Sequence, residues 1–279
     1  MTQRTEGVPV RPATRPSPLA EIWRGTWVVA YREILRFFSE RSRIVSSLLF
    51  PLLFLVIFGA GFGRVIGALA PNVDFIQFMY PGIIAQTILT GSLFAGVSVV
   101  WDREFGFLRE ILVAPIGRTG IVFGKAVGAG FSAVLQSVIM LVLAPILGVP
   151  LTPQIVLGLV PIVVILSLGL AGLGILIASF VTSQQGFQLF IQLLIFPLIF
   201  LAGIFFPVNQ VPLWLEVLSK VNPLTYGVDA IRQVFIGVQP GLGVTVLGHT
   251  MSLLEDVLVV GALGAILLTA AVWAFNRQE

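Results

Sequence analysis

The 279-residue chain contains no cysteine, which excludes disulfides, thiolate metal sites and cysteine nucleophiles. It has one histidine, His249, too few for a histidine metal cluster, and no histidine-based triad is expected. Charge is also scarce. Asp, Glu, Lys and Arg make up 10% of the residues, hydrophobic residues make up 57%, and mean hydropathy is +1.03. A soluble fold of this length could not hide so much apolar surface, so the chain reads as an all-α integral membrane protein. The N-terminal stretch does not read as a cleavable signal peptide, because its charged region runs too long before the first apolar segment.

Six apolar runs cover roughly 44–66, 78–100, 121–148, 154–181, 187–206 and 257–275. Each can cross a hydrocarbon core of about 30 Å, which takes about 20 helical residues. Residues 1–18, rich in Pro, Arg and Thr, are expected to form a disordered cytoplasmic tail. Over 19–43, Leu19, Ile22, Trp23, Trp27, Ala30, Tyr31, Ile34 and Phe38 recur at helical spacing. Glu21, Arg24, Arg32, Glu33 and Arg36 fall mostly on the other side. The spacing predicts an amphipathic helix lying in the membrane interface and touching lipid, followed by a six-span domain over 44–279. Eight of the sixteen Lys and Arg residues precede residue 44. With the N-terminus inside, thirteen face the cytoplasm and three, Arg64, Lys220 and Arg232, face outward. That bias orients a multi-pass plasma-membrane protein with both termini cytoplasmic, and it marks a cytoplasmic flank rather than a nucleic-acid surface.

Between the fifth and sixth runs, Val211–Val221 and Leu224–Ile236 are apolar helical stretches broken at Asn222-Pro223. Thirteen helical residues rise only about 20 Å, so neither spans. A re-entrant external hairpin over 207–240 is expected, with Asp229 and Arg232 paired on its exposed face. Gly120, Gly124 and Gly128 recur every fourth residue, and Gly169, Gly172 and Gly174 cluster, as close helix packing requires. Pro51, Pro145, Pro161 and Pro197 would kink spans.

No ionisable residue falls in the middle of a predicted span, which argues against a proton relay, an ion-coupled carrier and a carboxylate- or metal-dependent membrane enzyme. Gly124-Lys125 imitates the end of a phosphate-binding loop, but Thr119 stands where the earlier glycine belongs and Ala126 replaces the Ser or Thr. Gly241-Leu242-Gly243 lacks the strand-turn-helix setting of a dinucleotide site. No catalytic residue, metal site or cofactor bound by this chain is therefore expected. Uncharged polar residues do lie in the spans, among them Gln86, Thr90, Gln188 and Gln192. Gln188, Gln192 and Phe196 share one helical face. Such a face fits interhelical hydrogen bonding, and it also fits a weakly polar, aromatic-edged substrate path.

The densest charge in the chain lies between the second and third runs. Asp102, Arg103, Glu104, Arg109 and Glu110 are interleaved with Phe105, Leu108, Ile111 and Leu112 and end at Ala114-Pro115. A residue before proline disfavours helix, so a short amphipathic helix over 102–114 is expected. It reads either as a solvated cytoplasmic loop or as a handle whose apolar residues enter a partner's groove.

The run from Asp102 to Thr119, followed by Gly124-Lys125, resembles the permease subunit of type-2 ABC exporters, a group that includes daunorubicin-resistance-type drug efflux permeases and polysaccharide exporters. Pro207, the stretch Asn222-Pro223-Leu224-Thr225-Tyr226-Gly227 and the stretch Asp229-Ala230-Ile231-Arg232 resemble that family's external hairpin. The likeness extends over roughly 19–279. It implies that Asp102, Arg103, Glu104, Phe105, Leu108, Arg109, Glu110 and Ile111 belong to a coupling helix docked on an ATPase. It also implies two ABC ATP-binding subunits carrying ATP and Mg, a second permease chain forming a homodimer, and a lipophilic drug or lipid-like substrate, with polysaccharide or glycolipid as the alternative. An ATPase-independent channel or scaffold is the alternative from another class.

Overall fold

In the computed structural model, residues 17–69, 75–106, 117–237, 241–246 and 248–277 are described. Ser17 starts the first helix by accepting a hydrogen bond from Ala20 N, and Pro18 occupies the first turn, where no backbone donor is needed. Helix α1 runs over Pro18–Ser39, and a bend of 68° leads into α2 (Arg41–Leu69). The remaining helices are α3 (Phe75–Glu104), α4 (Arg118–Leu143), α5 (Pro153–Phe180), α6 (Gln184–Leu201), α7 (Leu213–Val221), α8 (Pro223–Ile236) and α9 (Leu253–Arg277). Short 3₁₀ turns cover Ala144–Leu147 and Val208–Gln210. Thr245–Val246 pairs antiparallel with His249–Thr250, a small external ribbon that the hydrophobic pattern does not announce. Among the described residues, α3, α4 with its 3₁₀ turn, α5, α6 and α9 are each long and apolar enough to cross a membrane. The bent α1–α2 pair, taken as one, makes six.

Helix α3 is the centre. It is buried along most of its length and packs against α2, α4, α5, α6 and α8. Glycine makes the tightest approaches. A Cβ on Gly169 of α5 would lie 2.7 Å from the Cα of Gly264 in α9, and one on Gly172 would lie 2.9 Å from Leu268 N. Gly174 of α5 sits equally close to the Leu93 backbone of α3. Lipid tails are as apolar as side chains, so this close contact and the dispersion energy it brings are what hold the spans together. Pro51, Pro161 and Pro197 stand inside helices as expected, together with Pro81 of α3. Pro145 instead lies in the 3₁₀ turn that ends α4.

The α7–α8 hairpin closes the C-terminal end of α6. An α-helix leaves its last four carbonyls without internal partners. Two of those of α6 are taken by the hairpin: Asn222 Nδ2 donates to Leu198 O at 2.7 Å, and Thr225 Oγ1 donates to Leu201 O at 3.3 Å. Just beyond the helix, Arg232 Nη2 donates to Gly203 O at 2.6 Å. Asn222 also caps α8 by accepting from Leu224 N, and Tyr226 Oη donates to Lys220 O, which locks the break at Pro223. Pro207 precedes the 3₁₀ turn whose Asn209 side chain holds Gly243 O and Thr245. One expectation needs correction. Asp229 and Arg232 do not pair on an exposed face; both are buried, facing α9 and α3, and their side chains bond elsewhere. Three-residue spacing places both on one side of α8, but that side turns inward because α8 is buried from Leu224 to Gln233.

Gly264→Leu should wedge α5 from α9 and destabilise the protein by about 1–3 kcal/mol, whereas Gly61→Leu in α2, where nothing lies within 4 Å, should leave it unchanged. Thermal unfolding of both variants in detergent checks this, and equal effects would refute the close-packing account.

Candidate functional site

The glycine repeat of α4 receives α1 rather than another span. A Cβ on Gly120 would meet Ile22 O at 2.8 Å, one on Gly124 would meet Val29 Cβ at 2.6 Å, and one on Gly128 would meet Glu33 Cβ at 2.5 Å. Helix α1 lies in this groove with Val29, Ala30 and Phe37 buried. Its opposite side carries Leu19, Trp23, Trp27, Tyr31, Leu35 and Phe38, all exposed within the chain. The helix is therefore apolar on two sides. Its charges at Arg32, Glu33 and Arg36 lie between them and turn toward α3 and α4.

The groove brings Glu33 to Lys125, whose side chain has no exposure at all. Lys125 Nζ donates to Asp102 Oδ2 at 2.5 Å, Ser98 Oγ at 2.6 Å and Glu33 Oε1 at 3.2 Å. An ammonium has three hydrogens, and all three are used. Ser98, one turn before Asp102 on α3, passes its own hydrogen to Glu33 Oε1 at 2.6 Å. Arg32 clasps Asp102 with two bonds, at 2.6 and 3.4 Å. Two cations and two carboxylates thus form a neutral node across α1, α3 and α4. Burial pushes the Glu33 carboxyl up, but Lys125 and the Ser98 hydroxyl outweigh it and hold the group below the usual carboxylate range. Burial lowers Arg32, and the Asp102 carboxylate more than restores it.

The next residues extend the anchorage. Arg103 Nη1 donates to Ala178 O and Val181 O at the end of α5, and Glu104 Oε2 accepts from Gln184 N at the start of α6. Arg36 lies 4.9 Å over the Trp101 ring. Arg32, Arg36, Trp101, Asp102 and Phe105 line an open cleft of about 300 Å³ beside the node. Phe105 is exposed, and Gly106 turns the chain with φ +79°, a conformation that suits glycine.

This placement corrects the reading of 102–114 for its first three residues; 107–114 lie outside the described residues. Asp102, Arg103 and Glu104 are the last turn of α3 and are spent on contacts within the chain. Their charges made them look available to a partner, but the α3 helix carries them back onto α1, α4, α5 and α6. Leu108, Arg109, Glu110 and Ile111 lie outside the described residues. Lys125 was legible as a topology signal, although an isolated lysine about one turn into an apolar run calls for buried acidic partners.

The suggested path residues do not come together. Gln86 is buried, and its Oε1 has no partner; Thr90 bonds back to Gln86 O and Thr87 O on its own helix. Gln188, Gln192 and Phe196 share the exposed side of α6. A line of rings starts there: Phe196 stacks on Phe200 at 4.6 Å, Phe200 meets Phe205 at 5.2 Å, Phe205 meets Phe54 of α2 at 5.2 Å, and Phe54 stacks on Phe58 at 4.2 Å. Among the described residues, no group of three His, Asp or Glu side chains could hold a metal ion.

Residues 24–236 match the family described as ABC-2 type transporter. The putative transport permease ycf38 of Cyanophora paradoxa is 33% identical over 209 residues, 71% of either chain. The probable multidrug ABC transporter permease YbhR of Escherichia coli (strain K12) is 34% identical over 170 residues, 60% of this chain and 45% of that one. Nodulation protein J of Rhizobium meliloti (strain 1021) is 27% identical over 218 residues, 77% of this chain and 80% of the other.

Breaking a buried ion pair strands a charge, so Lys125→Met should cost about 3–5 kcal/mol. Combined with Asp102→Leu, the loss should fall short of the sum by about 1–3 kcal/mol. Unfolding of the two single variants and the double variant measures this coupling; strict additivity would mean that the node does not act as a unit.

Proposed function

The chain belongs to the ABC-2 type transporter family and is a transmembrane permease of an ABC transporter; from that premise we propose that it exports a lipophilic drug or lipid-like molecule across the plasma membrane, driven by a separate ATPase subunit. The observation that carries the coupling part is the neutral node of Arg32, Glu33, Ser98, Asp102 and Lys125, which joins the helices on both sides of residues 105–117 to α1. A push delivered at that segment meets α1, α3 and α4 as one body. In this reading Phe105, Leu108, Arg109, Glu110 and Ile111 dock on the ATPase, and Asp102, Arg103 and Glu104 transmit. ATP and Mg stay on two copies of the ATPase subunit, and two copies of this chain form the path between them, with their termini cytoplasmic. The docked segment can drive the spans only if it contacts its partner differently in the two states.

The line of phenylalanines from Phe196 to Phe58, bridging α6 and α2, supports the lipophilic substrate. These rings offer apolar faces without the hydroxyl or indole N–H with which Tyr and Trp hold sugars. The word multidrug in the name of the Escherichia coli relative points the same way.

Glu110→Arg and Leu108→Asp should leave expression and self-association intact while abolishing ATP-driven export. Tagged protein drawn from its native membrane should bring down a stoichiometric ATP-binding subunit, and the Glu110→Arg variant should lose it. An ATPase-free oligomer with intact transport would instead establish a channel or scaffold. Gln192→Leu should shift substrate preference if the exposed side of α6 lines the path; an unchanged profile reduces that side to packing.

A further inference from the structure

A second ionic cluster lies at the outer end of the molecule, where α8 packs on the first turn of α9, and the coupling scheme makes no use of it. It contains Asp229 and Arg232 from α8 and Asp256 from α9, exposed by 1%, 3% and 0%. Gln233 sits between the acids. Its Nε2 reaches Asp256 Oδ2 at 2.7 Å, Asp229 Oδ2 at 3.2 Å and Met251 O at 3.2 Å, three acceptors for two hydrogens. Val244 N also donates to Asp229 Oδ2, at 2.9 Å, and the Gly243 backbone lies across the same carboxylate. The second oxygens, Asp229 Oδ1 and Asp256 Oδ1, are both buried and both without a hydrogen-bond partner.

Charge does not balance here as it does around Lys125. Two carboxylates face one guanidinium, and no solvent reaches them. Arg232 makes no direct ion pair with the acids, with Nη2 on Gly203 O and its guanidinium 4.2 Å over the Phe78 ring, although the Asp229 charge acts on it. Burial lowers it to about 10, so it remains a cation at neutral pH. No other described group supplies the missing charge. On α8, Tyr226 stays neutral, raised by burial and then by the Asp256 charge, with its Oη donating to Lys220 O. On α9, Glu255 is tied at the surface to Ser252 and His249. On α7, Lys220 is paired with Glu216. Facing α3 offers only Tyr80, whose hydroxyl donates to Met140 O, and α5 has no titratable side chain.

The cluster therefore lacks one positive charge, and its one unused donor, Arg232 Nε, bonds neither free carboxyl oxygen; a single proton supplies the charge. Shared by the two carboxyl groups, which converge on Gln233 Nε2, it leaves one negative charge to balance Arg232. A metal ion fits poorly, because beyond the two acids only Gln233 Oε1 offers a free side-chain oxygen, and hard cations take six or more. We propose that Asp229 and Asp256 form a buried proton-binding site that fastens the outer hairpin to the last span. Losing the proton leaves two facing carboxylates in a dry contact and drives α8 from α9. The stability this proton confers is full while the site holds it and is lost when rising pH removes it.

The test uses the full chain in lipid nanodiscs and does not depend on the exporter reading. Infrared spectra at neutral pH should show a carboxylic-acid carbonyl band that bleaches as pH is raised and is missing in Asp256→Asn. Between about pH 6 and about pH 9 the wild-type Tm should fall by roughly 5 °C, while Asp256→Asn, a neutral stand-in for the protonated acid, should lose much less. Asp229→Asn provides a second variant; if neither folds, the wild-type band and its titration decide alone. A spectrum without the band overturns the proposal, as does an unchanged pH dependence in a folded Asn variant. Stability that vanishes on chelation and returns with added Ca²⁺ or Mg²⁺ also overturns it, by assigning the charge to a metal ion.

Discussion

The half of the fold built around α1 depends on neutralising one buried cation. Lys125 has no water and cannot leave the α4 face on which the sequence puts it. A lone ammonium in an apolar interior costs several kcal/mol. Two helices must therefore bring carboxylates to it, and they must come close. Glu33 reaches Lys125 only because Gly120, Gly124 and Gly128 let α1 lie directly on the α4 backbone, and Asp102 reaches it only because α3 continues past its apolar run as far as Glu104. Ion pair and glycine groove thus require each other. The groove alone would hold α1 by dispersion and leave its rotation free; the ions fix the rotation.

That fixed rotation gives α1 a definite outer face. With Arg32, Glu33 and Arg36 turned inward, Trp23, Trp27, Tyr31 and Phe38 must point away from the protein. Aromatic residues of this kind settle at the level of lipid headgroups.

Much of this was legible in the sequence, and the failures have physical causes. The spans and the helix α1 follow from periodicity, and the hairpin from Asn222-Pro223, where a cap and a broken helix coincide. The partner of the glycine repeat was not legible, because close packing is equally useful to a neighbouring span and to α1. Asp102 was misread because sequence shows a charge beside other charges but not the turn of helix that carries it back inside. Asp229 and Arg232 were misplaced for a related reason: spacing fixes which residues share a face, and burial decides where the face points. Asp256 escaped notice altogether, since an acid in the first turn of a helix is commonly a surface residue favoured by the helix dipole. Only the packing of α8 over it shows otherwise.

Between the two ionic layers the spans are tied differently. The polar side chains there turn back on their own helices, Thr87 to Ile83 O, Ser132 to Gly128 O and Ser137 to Ala133 O, while Gln86 Oε1, Ser92 Oγ and Gln136 Oε1 bond nothing. The closest approaches in that region are glycine on backbone, at Leu93 with Gly174 and at Gly169 with Gly264. A glycine contact has no direction in the plane of the crossing, whereas an ion pair does. Helices fastened by directional bonds at their ends and touching by smooth backbone contacts between can pivot at the crossings without breaking a hydrogen bond.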